Sequence, residues 1–220
     1  RWGIFGMYQH LSDVRIDLEW AEDAAWRRQN GEPYLSWTDF NEARRKSVRP
    51  FFTIAVVAVC SIMLFVEFAV NDFTIEPMSV NPMVGPSAET LIKVGARSTE
   101  LIVADGQWFR ILSPIILHAG LIHYLINMLA LYFIGAAVEQ SHGIVNTMIL
   151  FALPGIGGNI LSAIFLPQYI SVGASGGIFG LIGGCIADIG MNWSLLFIRT
   201  GDEDRKQVLR RNVLAVTLLI

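Results

Sequence analysis

Charged residues are scarce in this chain: only 16% of its 220 residues are Asp, Glu, Lys or Arg, whereas 53% are hydrophobic. This composition excludes an ordinary soluble domain, because the apolar residues form long runs rather than helical stripes. The formal net charge is only −3, and no basic face with interleaved aromatic residues is present, so we expect no nucleic-acid partner. The composition indicates a membrane protein.

Cysteines and metal-binding motifs are also scarce. The two cysteines, Cys60 and Cys185, both fall inside apolar runs, so we expect buried packing residues rather than a disulfide. The sequence has no His-Glu-x-x-His motif and no cysteine cluster, so we expect no metal site. A cleavable signal peptide is not visible either, because the first apolar run follows about 50 polar residues.

Long apolar runs are what the chain has in abundance. A helix needs about 20 mostly apolar residues to cross the hydrocarbon core. We predict spans at 50–70, 121–138 and 146–166, a shorter one at 172–189, and the start of a fifth at 212–220. The fold class is therefore all-α, a polytopic bundle with about five transmembrane helices begun. Because the chain starts at Arg1 and ends inside an apolar run, we expect a fragment whose last spans are missing.

Residues 1–49 form a polar region ahead of the first span. We predict a helix there that ends at Asn30-Gly31 and Pro33. One face of this helix is apolar and consists of Leu11, Val14, Leu18, Ala21 and Ala25. Basic residues directly precede the first span (Arg44, Arg45, Lys46 and Arg49) and recur in 191–211, whereas the loop 71–120 has few. By the positive-inside tendency, 1–49 is a cytoplasmic region and 50–220 is a membrane domain truncated in its fifth span.

The long loop after the first span contains an apolar and aromatic stretch, residues 107–112. Trp108 and Arg110 suit a membrane interface, where an aromatic ring lies at headgroup depth and a guanidinium group meets phosphates. The alternative is an ordinary solvated loop with one anchoring tryptophan.

Polar residues recur inside the second span. His123 and Asn127 are four residues apart and therefore share one helix face. Two donors facing one cavity could bind an oxyanion, although such residues can also simply hydrogen-bond across helices. His118, five residues before His123, falls in the preceding loop.

A glycine-flanked serine opens the fourth run, in Gly173-Ala174-Ser175-Gly176-Gly177. One interpretation is helix packing, since Gly176, Gly180 and Gly184 repeat at four-residue spacing. The other is a nucleophile, because glycines let a substrate carbonyl approach Ser175. The nucleophile elbow of α/β-hydrolases does not fit, because it requires a later histidine and none follows His142.

Together, residues 107–114, the segment Leu117-His118-Ala119-Gly120, the pair His123 and Asn127, and the glycine-flanked serine resemble the rhomboid family of intramembrane serine proteases. The resemblance runs from about residue 48 to the end. It implies that Ser175 is the nucleophile and that His123 and Asn127, with the Ser175 backbone N–H, form the oxyanion hole. It also implies supporting roles for His118, which braces the first loop, for Arg110 with Phe109 and Trp108, and for Glu139, a structural carboxylate at the cytoplasmic helix end.

The resemblance further implies an intramembrane serine endopeptidase that cleaves membrane-anchored proteins within or near their spans, in the lipid bilayer and without a cofactor. The resemblance also implies six or seven spans in the intact protein. The family places its catalytic base, a histidine, on a later helix that this chain does not contain. The alternative is a catalytically inactive rhomboid-like protein that binds membrane clients. A transporter would require more buried charge than Asp188 supplies. The sequence does not distinguish the plasma membrane from a secretory-pathway membrane.

Overall fold

A computed structural model describes residues 3–36, 38–40, 42–43 and 49–193. All regular secondary structure in these residues is helical. They include no β-strand, and their one β-bridge pairs Arg97 with Ser171. The prediction of an all-α fold is confirmed. The fifth predicted span and the basic residues Arg44, Arg45, Lys46 and those beyond 193 lie outside the described residues. The chain divides into two compact units, 1–49 with 183–220 and 50–182.

In the first unit, helix α1 spans Ile4–Asn30 and ends at Gly31, which adopts the left-handed conformation that glycine allows. Its buried residues, Met7, Tyr8, Leu11 and Val14, all lie in the first half of the helix. The predicted helix is therefore present, but only the first half of its apolar face is buried, since Leu18 is 44% exposed and Ala21 and Ala25 are exposed. Arg15 donates two hydrogen bonds to Asp188 within this unit, at 2.8 and 2.6 Å.

The second unit begins with helix α2, Phe51–Val70, which matches the first predicted span. Two short helices follow in the long loop, α3 at Ala88–Val94 and α4 at Thr99–Val103, and each begins at a capping serine. Two turns of 3₁₀ helix, Trp108–Ile111 and Ser113–Ile116, complete the loop. The long loop is thus folded back on itself rather than extended into solvent.

The second and third predicted spans form one helical stretch with a break. Helix α5 covers Leu121–Ala130, a π-helical turn covers Leu131–Gly135, and helix α6 covers Ala136–Phe165. Gly143, inside α6, leaves helical geometry with φ 78° and ψ 169°. Before this break Glu139 binds the first residues of α2, and after it Asn159 binds the Ile111 carbonyl, so the chain reverses direction at Gly143.

Helices α2 (Phe51–Val70) and Leu121–Phe165 are long and apolar enough to cross a membrane, by length and composition. The total number of spans stays a prediction. Cys60 and Cys185 are both buried and free, as expected from their position in apolar runs.

The fourth apolar run forms helix α7, Ser175–Met191, and three of its glycines, Gly176, Gly177 and Gly180, lie against α6. A Cβ atom on Gly180 would lie 2.3 Å from the Leu150 carbonyl oxygen, and one on Gly176 would lie 3.2 Å from the Gly155 Cα. These distances leave no room for a larger residue at Gly180 without separating the helices. The packing interpretation is therefore confirmed for Gly176 and Gly180, which leaves the role of Ser175 as a separate question.

Candidate active site

Ser175 is the first residue of α7, and the glycine two residues before it fixes its surroundings. Gly173 has a φ of 128°, which L side chains rarely adopt. A methyl group on Gly173 would lie 2.7 Å from His123 Cε1, 3.0 Å from His123 Nε2 and 3.6 Å from Ser175 Oγ. The two side chains therefore border the same small space, and only glycine leaves that space open.

The hydrogen bonds of His123 indicate which of its ring nitrogens carries the hydrogen. His123 Nδ1 accepts the Ala119 backbone N–H at 3.3 Å, so in the neutral ring the hydrogen is assigned to Nε2. Nε2 is the nitrogen that borders Gly173 and Ser175. The loop before α5 thereby orients His123 as a hydrogen-bond donor toward the serine, which is the role that an oxyanion requires.

Asn127 lies one turn farther along α5 and is 5% exposed. Its side-chain amide donates to the His123 carbonyl at 2.8 Å, a bond within its own helix. This bond therefore does not support the alternative interpretation, in which Asn127 hydrogen-bonds to another helix. One of the two amide hydrogens of Asn127 is committed to the helix and the other is left to act as a donor.

His118 lies in the loop before α5 and is completely buried. Its backbone N–H donates to Glu67 Oε1 at 2.9 Å, and its ring centroid is 5.4 Å from that of His123. Burial, helped by the nearby His123, lowers the pKa of His118 to about 4, although the Ile116 carbonyl opposes this shift. The ring is therefore neutral at pH 7. Sequence reasoning missed Glu67 as its partner, because the two are 51 residues apart.

The expectation that Arg110 contacts lipid phosphates is wrong. Arg110 is buried and donates to the Ile92 and Ala96 carbonyls at 2.8 and 2.9 Å, so it holds the loop together. Burial lowers the pKa of its guanidinium group, and Asp105 opposes that shift. Its guanidinium carbon lies 5.1 Å from the centre of the Phe109 ring, whereas Trp108 is 65% exposed. Phe109 therefore contacts Arg110 directly, and Trp108 has the exposure expected of an interfacial anchor.

Glu139 is buried near the break in α6. Its carboxylate accepts three hydrogen bonds of 2.8 Å, from the Phe52 and Thr53 backbone N–H groups and from the Thr53 hydroxyl. These backbone groups belong to the first turn of α2, where a helix has unpaired donors and favours an anion. Glu139 thus joins α6 to the start of α2.

Arg97 is a buried residue that sequence reasoning missed. Its guanidinium group donates to Ser162 Oγ at 2.9 Å and to the Leu166 carbonyl at 3.3 Å, at the end of α6. Its backbone pairs with Ser171, four residues before Ser175, in both directions. Burial lowers the pKa of this group. Its only sequence signal was that it is one of three basic residues in the loop 71–120.

A second backbone bond fixes the same segment, since the Gly173 N–H donates to the Pro114 carbonyl at 2.8 Å. The segment that leads to Ser175 is therefore hydrogen-bonded to the loop 71–120 at two residues, Ser171 and Gly173. The structure brings Ser175 and His123 together, with Asn127 one turn away and His118 beside His123. Arg110, Trp108 and Glu139 lie in supporting positions.

Comparison with known proteins gives a consistent set of matches. The family model described as the rhomboid domain matches residues 105–219. RHOMBOID-like protein 4 of Arabidopsis thaliana is 40% identical over 157 residues, 66% of this chain and 40% of that protein. Rhomboid protease GluP of Bacillus subtilis is 35% identical over 176 residues, 77% of this chain and 32% of that protein.

A third relative is named as inactive. Inactive RHOMBOID-like protein 8 of Arabidopsis thaliana is 31% identical over 173 residues, 71% of this chain and 49% of that protein. The chain thus spans less than half the length of these three relatives. No solved structure matches.

Proposed function

The chain belongs to the rhomboid family, and on that premise we propose that it acts as an intramembrane serine endopeptidase on membrane-anchored proteins. The observation that supports this best is that His123 Nε2 and Ser175 Oγ border one space beside Gly173. A serine hydroxyl and an N–H donor on one side of an open space are the two parts that acyl transfer needs.

In the proposed reaction, Ser175 Oγ attacks the carbonyl carbon of a substrate peptide bond, within or near a transmembrane segment. The resulting oxyanion accepts hydrogen bonds from His123 Nε2, from the Ser175 backbone N–H and from the second amide hydrogen of Asn127. The C–N bond then breaks, the amine leaves with a proton, and the acyl group stays on Ser175. Water adds to this ester and releases the acid, which regenerates the hydroxyl.

The proton from Ser175 requires a base, and His123 is not available because its Nε2 serves as a donor. The sequence contains four histidines, His10, His118, His123 and His142, and none of them occupies the place that the family gives to its base. We infer that the base is a histidine on a later helix of the protein. By the positive-inside tendency, 1–49 lies in the cytoplasm and Ser175 lies near the opposite surface.

An inactive rhomboid-like protein that binds membrane clients is the second candidate, and its support is the similarity to the relative named as inactive. The experiment that separates the two uses the longest native form of the protein in membranes with a reporter transmembrane substrate. We expect Ser175→Ala to abolish cleavage without lowering thermal stability, whereas the exposed-site control Ser79→Ala cleaves normally. Cleavage that persists in Ser175→Ala contradicts the proposal, and absence of cleavage by the native protein on a panel of substrates favours the inactive candidate.

A further inference from the structure

Beside the candidate oxyanion donors lies a group of buried polar atoms that the proposed reaction does not use. Glu67 Oε2, His118 Nδ1 and His118 Nε2 are all inaccessible, and among the described residues none of them has a hydrogen-bond partner. Both residues are completely buried. Glu67 lies near the end of α2, and His118 lies in the loop before α5.

One bond already holds these two residues side by side. The His118 backbone N–H donates to Glu67 Oε1 at 2.9 Å, which leaves the other carboxylate oxygen without a described partner. No described group makes a hydrogen bond of good geometry to the imidazole ring, although the Ile116 carbonyl lies near enough to raise the pKa of the ring. The ring and the carboxylate do not bond to each other in the part of the chain that the structure describes. Aromatic groups enclose the ring, since the His123 and Tyr124 centroids each lie 5.4 Å from it.

Leaving such atoms unpaired in a protein interior is costly. Each unsatisfied buried polar group destabilises the folded state, and a charged group does so more strongly. More than nine in ten buried polar groups are therefore paired, and an internal water molecule is the usual partner where protein groups do not reach. A water molecule needs two to four polar partners, and this group offers two to one water, the carboxylate oxygen and one ring nitrogen, because the two ring nitrogens point away from each other.

A metal ion is the other ligand that a carboxylate and imidazole could hold. The described residues include no group of three or more His, Cys, Asp or Glu side chains placed to bind a metal ion. Water needs no such ligand set, and it can donate to the carboxylate oxygen while it exchanges hydrogen bonds with either ring nitrogen.

We propose that Glu67 Oε2 and the His118 ring form an internal water-binding site between the end of α2 and the loop that carries His118. The water bridges the carboxylate oxygen and one nitrogen of the imidazole, so it pairs two of the three atoms that the protein leaves open. Because the His118 ring lies beside that of His123, the water supports the back of the candidate site. This inference does not depend on the proposed protease activity.

The first test is a double-mutant cycle on thermal unfolding of the longest native form in detergent. Glu67→Leu and His118→Phe each remove one partner of the water and leave the other unsatisfied, and Glu67→Leu also removes the acceptor of the His118 backbone N–H in both the single and the double variant. We expect each to lower the unfolding midpoint by roughly 4 °C or more. Replacing both partners by apolar groups removes the need for water, so the double variant loses clearly less than the sum of the two.

The matched control combines His118→Phe with Glu139→Leu, whose carboxylate has its own three partners, and there the two losses add. Additive losses for the Glu67 and His118 pair overturn the proposal. A single variant that does not fold is rescued by the second substitution if the proposal holds.

The second test reads the site directly in the unmodified protein, and it decides the matter if no variant folds. A structure near 2 Å resolution is expected to show a water within about 2.7–3.2 Å of Glu67 Oε2 and of one His118 ring nitrogen. Density in which the carboxylate and the ring instead bond to each other or to another protein group contradicts the proposal.

Discussion

Two buried carboxylates lie at opposite ends of α2, and their surroundings differ sharply. At the start of the helix, Glu139 has three hydrogen-bond donors within 2.8 Å, two of them backbone groups. At the other end, Glu67 has one donor, the His118 N–H, and its second oxygen has no partner among the described residues. At the Glu139 end, the hydrogen bonds join two helices. At the Glu67 end, buried polar atoms remain without hydrogen-bond partners among the described residues.

This difference separates a carboxylate that is fully used as a structural joint from one that keeps hydrogen-bonding capacity beside the candidate site. A carboxylate that accepts three hydrogen bonds, two of them from backbone N–H groups, holds helices together and has little further capacity. The end near Glu67 lies beside His118 and His123, and His123 Nε2 borders the space at Ser175. We therefore expect substitutions at the Glu139 end to change stability, and substitutions at the His123 end to change the rate of reaction.

The largest expected effect is at His123. Removing one oxyanion donor costs about 10²–10³ in rate, or about 2.7–4 kcal/mol in the barrier, so His123→Ala slows cleavage of a reporter substrate by about that factor. Asn127→Ala has a smaller effect, because one of its amide hydrogens is already bonded to the helix. Cleavage rate per folded molecule is the measurement. If both variants keep the native cleavage rate and only lose stability, His123 and Asn127 are structural residues. The proposed difference between the Glu139 end and the His123 end would then be wrong.

Glu139→Ala tests the other end of the comparison. It leaves two backbone N–H groups and the Thr53 hydroxyl without their acceptor, so the free energy of unfolding falls by about 3 kcal/mol. Glu139→Gln keeps one acceptor oxygen and loses less. Denaturant unfolding in detergent checks the size of the loss. Cleavage per folded molecule stays at the native level, and a large fall in that rate would show that the Glu139 end is not purely structural.

Gly180 allows the packing of α7 to be varied without touching polar groups. Gly180→Ala places a methyl group 2.3 Å from the Leu150 carbonyl oxygen, so the helices must move apart at a cost of about 1–3 kcal/mol. The control is Gly183→Ala on the same helix, where no described atom lies within 4 Å of the added group. That variant keeps or slightly raises stability, since alanine favours helix. Equal losses for the two would mean that α7 does not pack on α6 through Gly180.

The smallest expected effect is a pH dependence from His118. Its folded pKa of about 4 lies below the ordinary value of 6.5, so between these values the unfolded chain binds more protons than the folded one. Stability is therefore lost as the pH falls, by about 1 kcal/mol between about pH 7 and about pH 5.5.

Thermal unfolding across this pH range checks the effect. His118→Gln flattens the curve, whereas His142→Gln retains it. Glu67 and His123 face the same ring, so the comparison is repeated in the Glu67→Gln background. An unchanged slope in His118→Gln would assign the dependence to another group.

Much of the fold followed from the sequence because the bilayer imposes a simple length rule. Continuous apolar runs predicted α2 and both arms of the Leu121–Phe165 stretch, and Asn30-Gly31 predicted the end of α1. Exposure along α1 was not predictable beyond Val14, because apolar spacing does not reveal whether a neighbouring surface is present. The burial of Arg110 was missed because its partners are backbone carbonyls, which leave no mark in the sequence.

The candidate site was predictable in parts. The spacing of His123 and Asn127 placed them on one face of a helix, and glycines marked Ser175. The partnership of Glu67 with His118, and that of Arg97 with Ser162, join residues 51 and 65 positions apart. Such contacts depend on how the loop 71–120 folds against the helices, so no local sequence pattern predicts them.

The central claim, that Ser175 is a nucleophile activated within this site, is tested most directly by covalent labelling. The longest native form is treated in membranes with a fluorophosphonate probe, and the modified residue is identified by mass spectrometry. We predict one adduct, on Ser175, which Ser175→Ala abolishes, which His123→Ala slows, and which Glu139→Gln leaves at the native rate per folded molecule. Absence of an adduct, or an adduct that forms equally in Ser175→Ala, would contradict the claim.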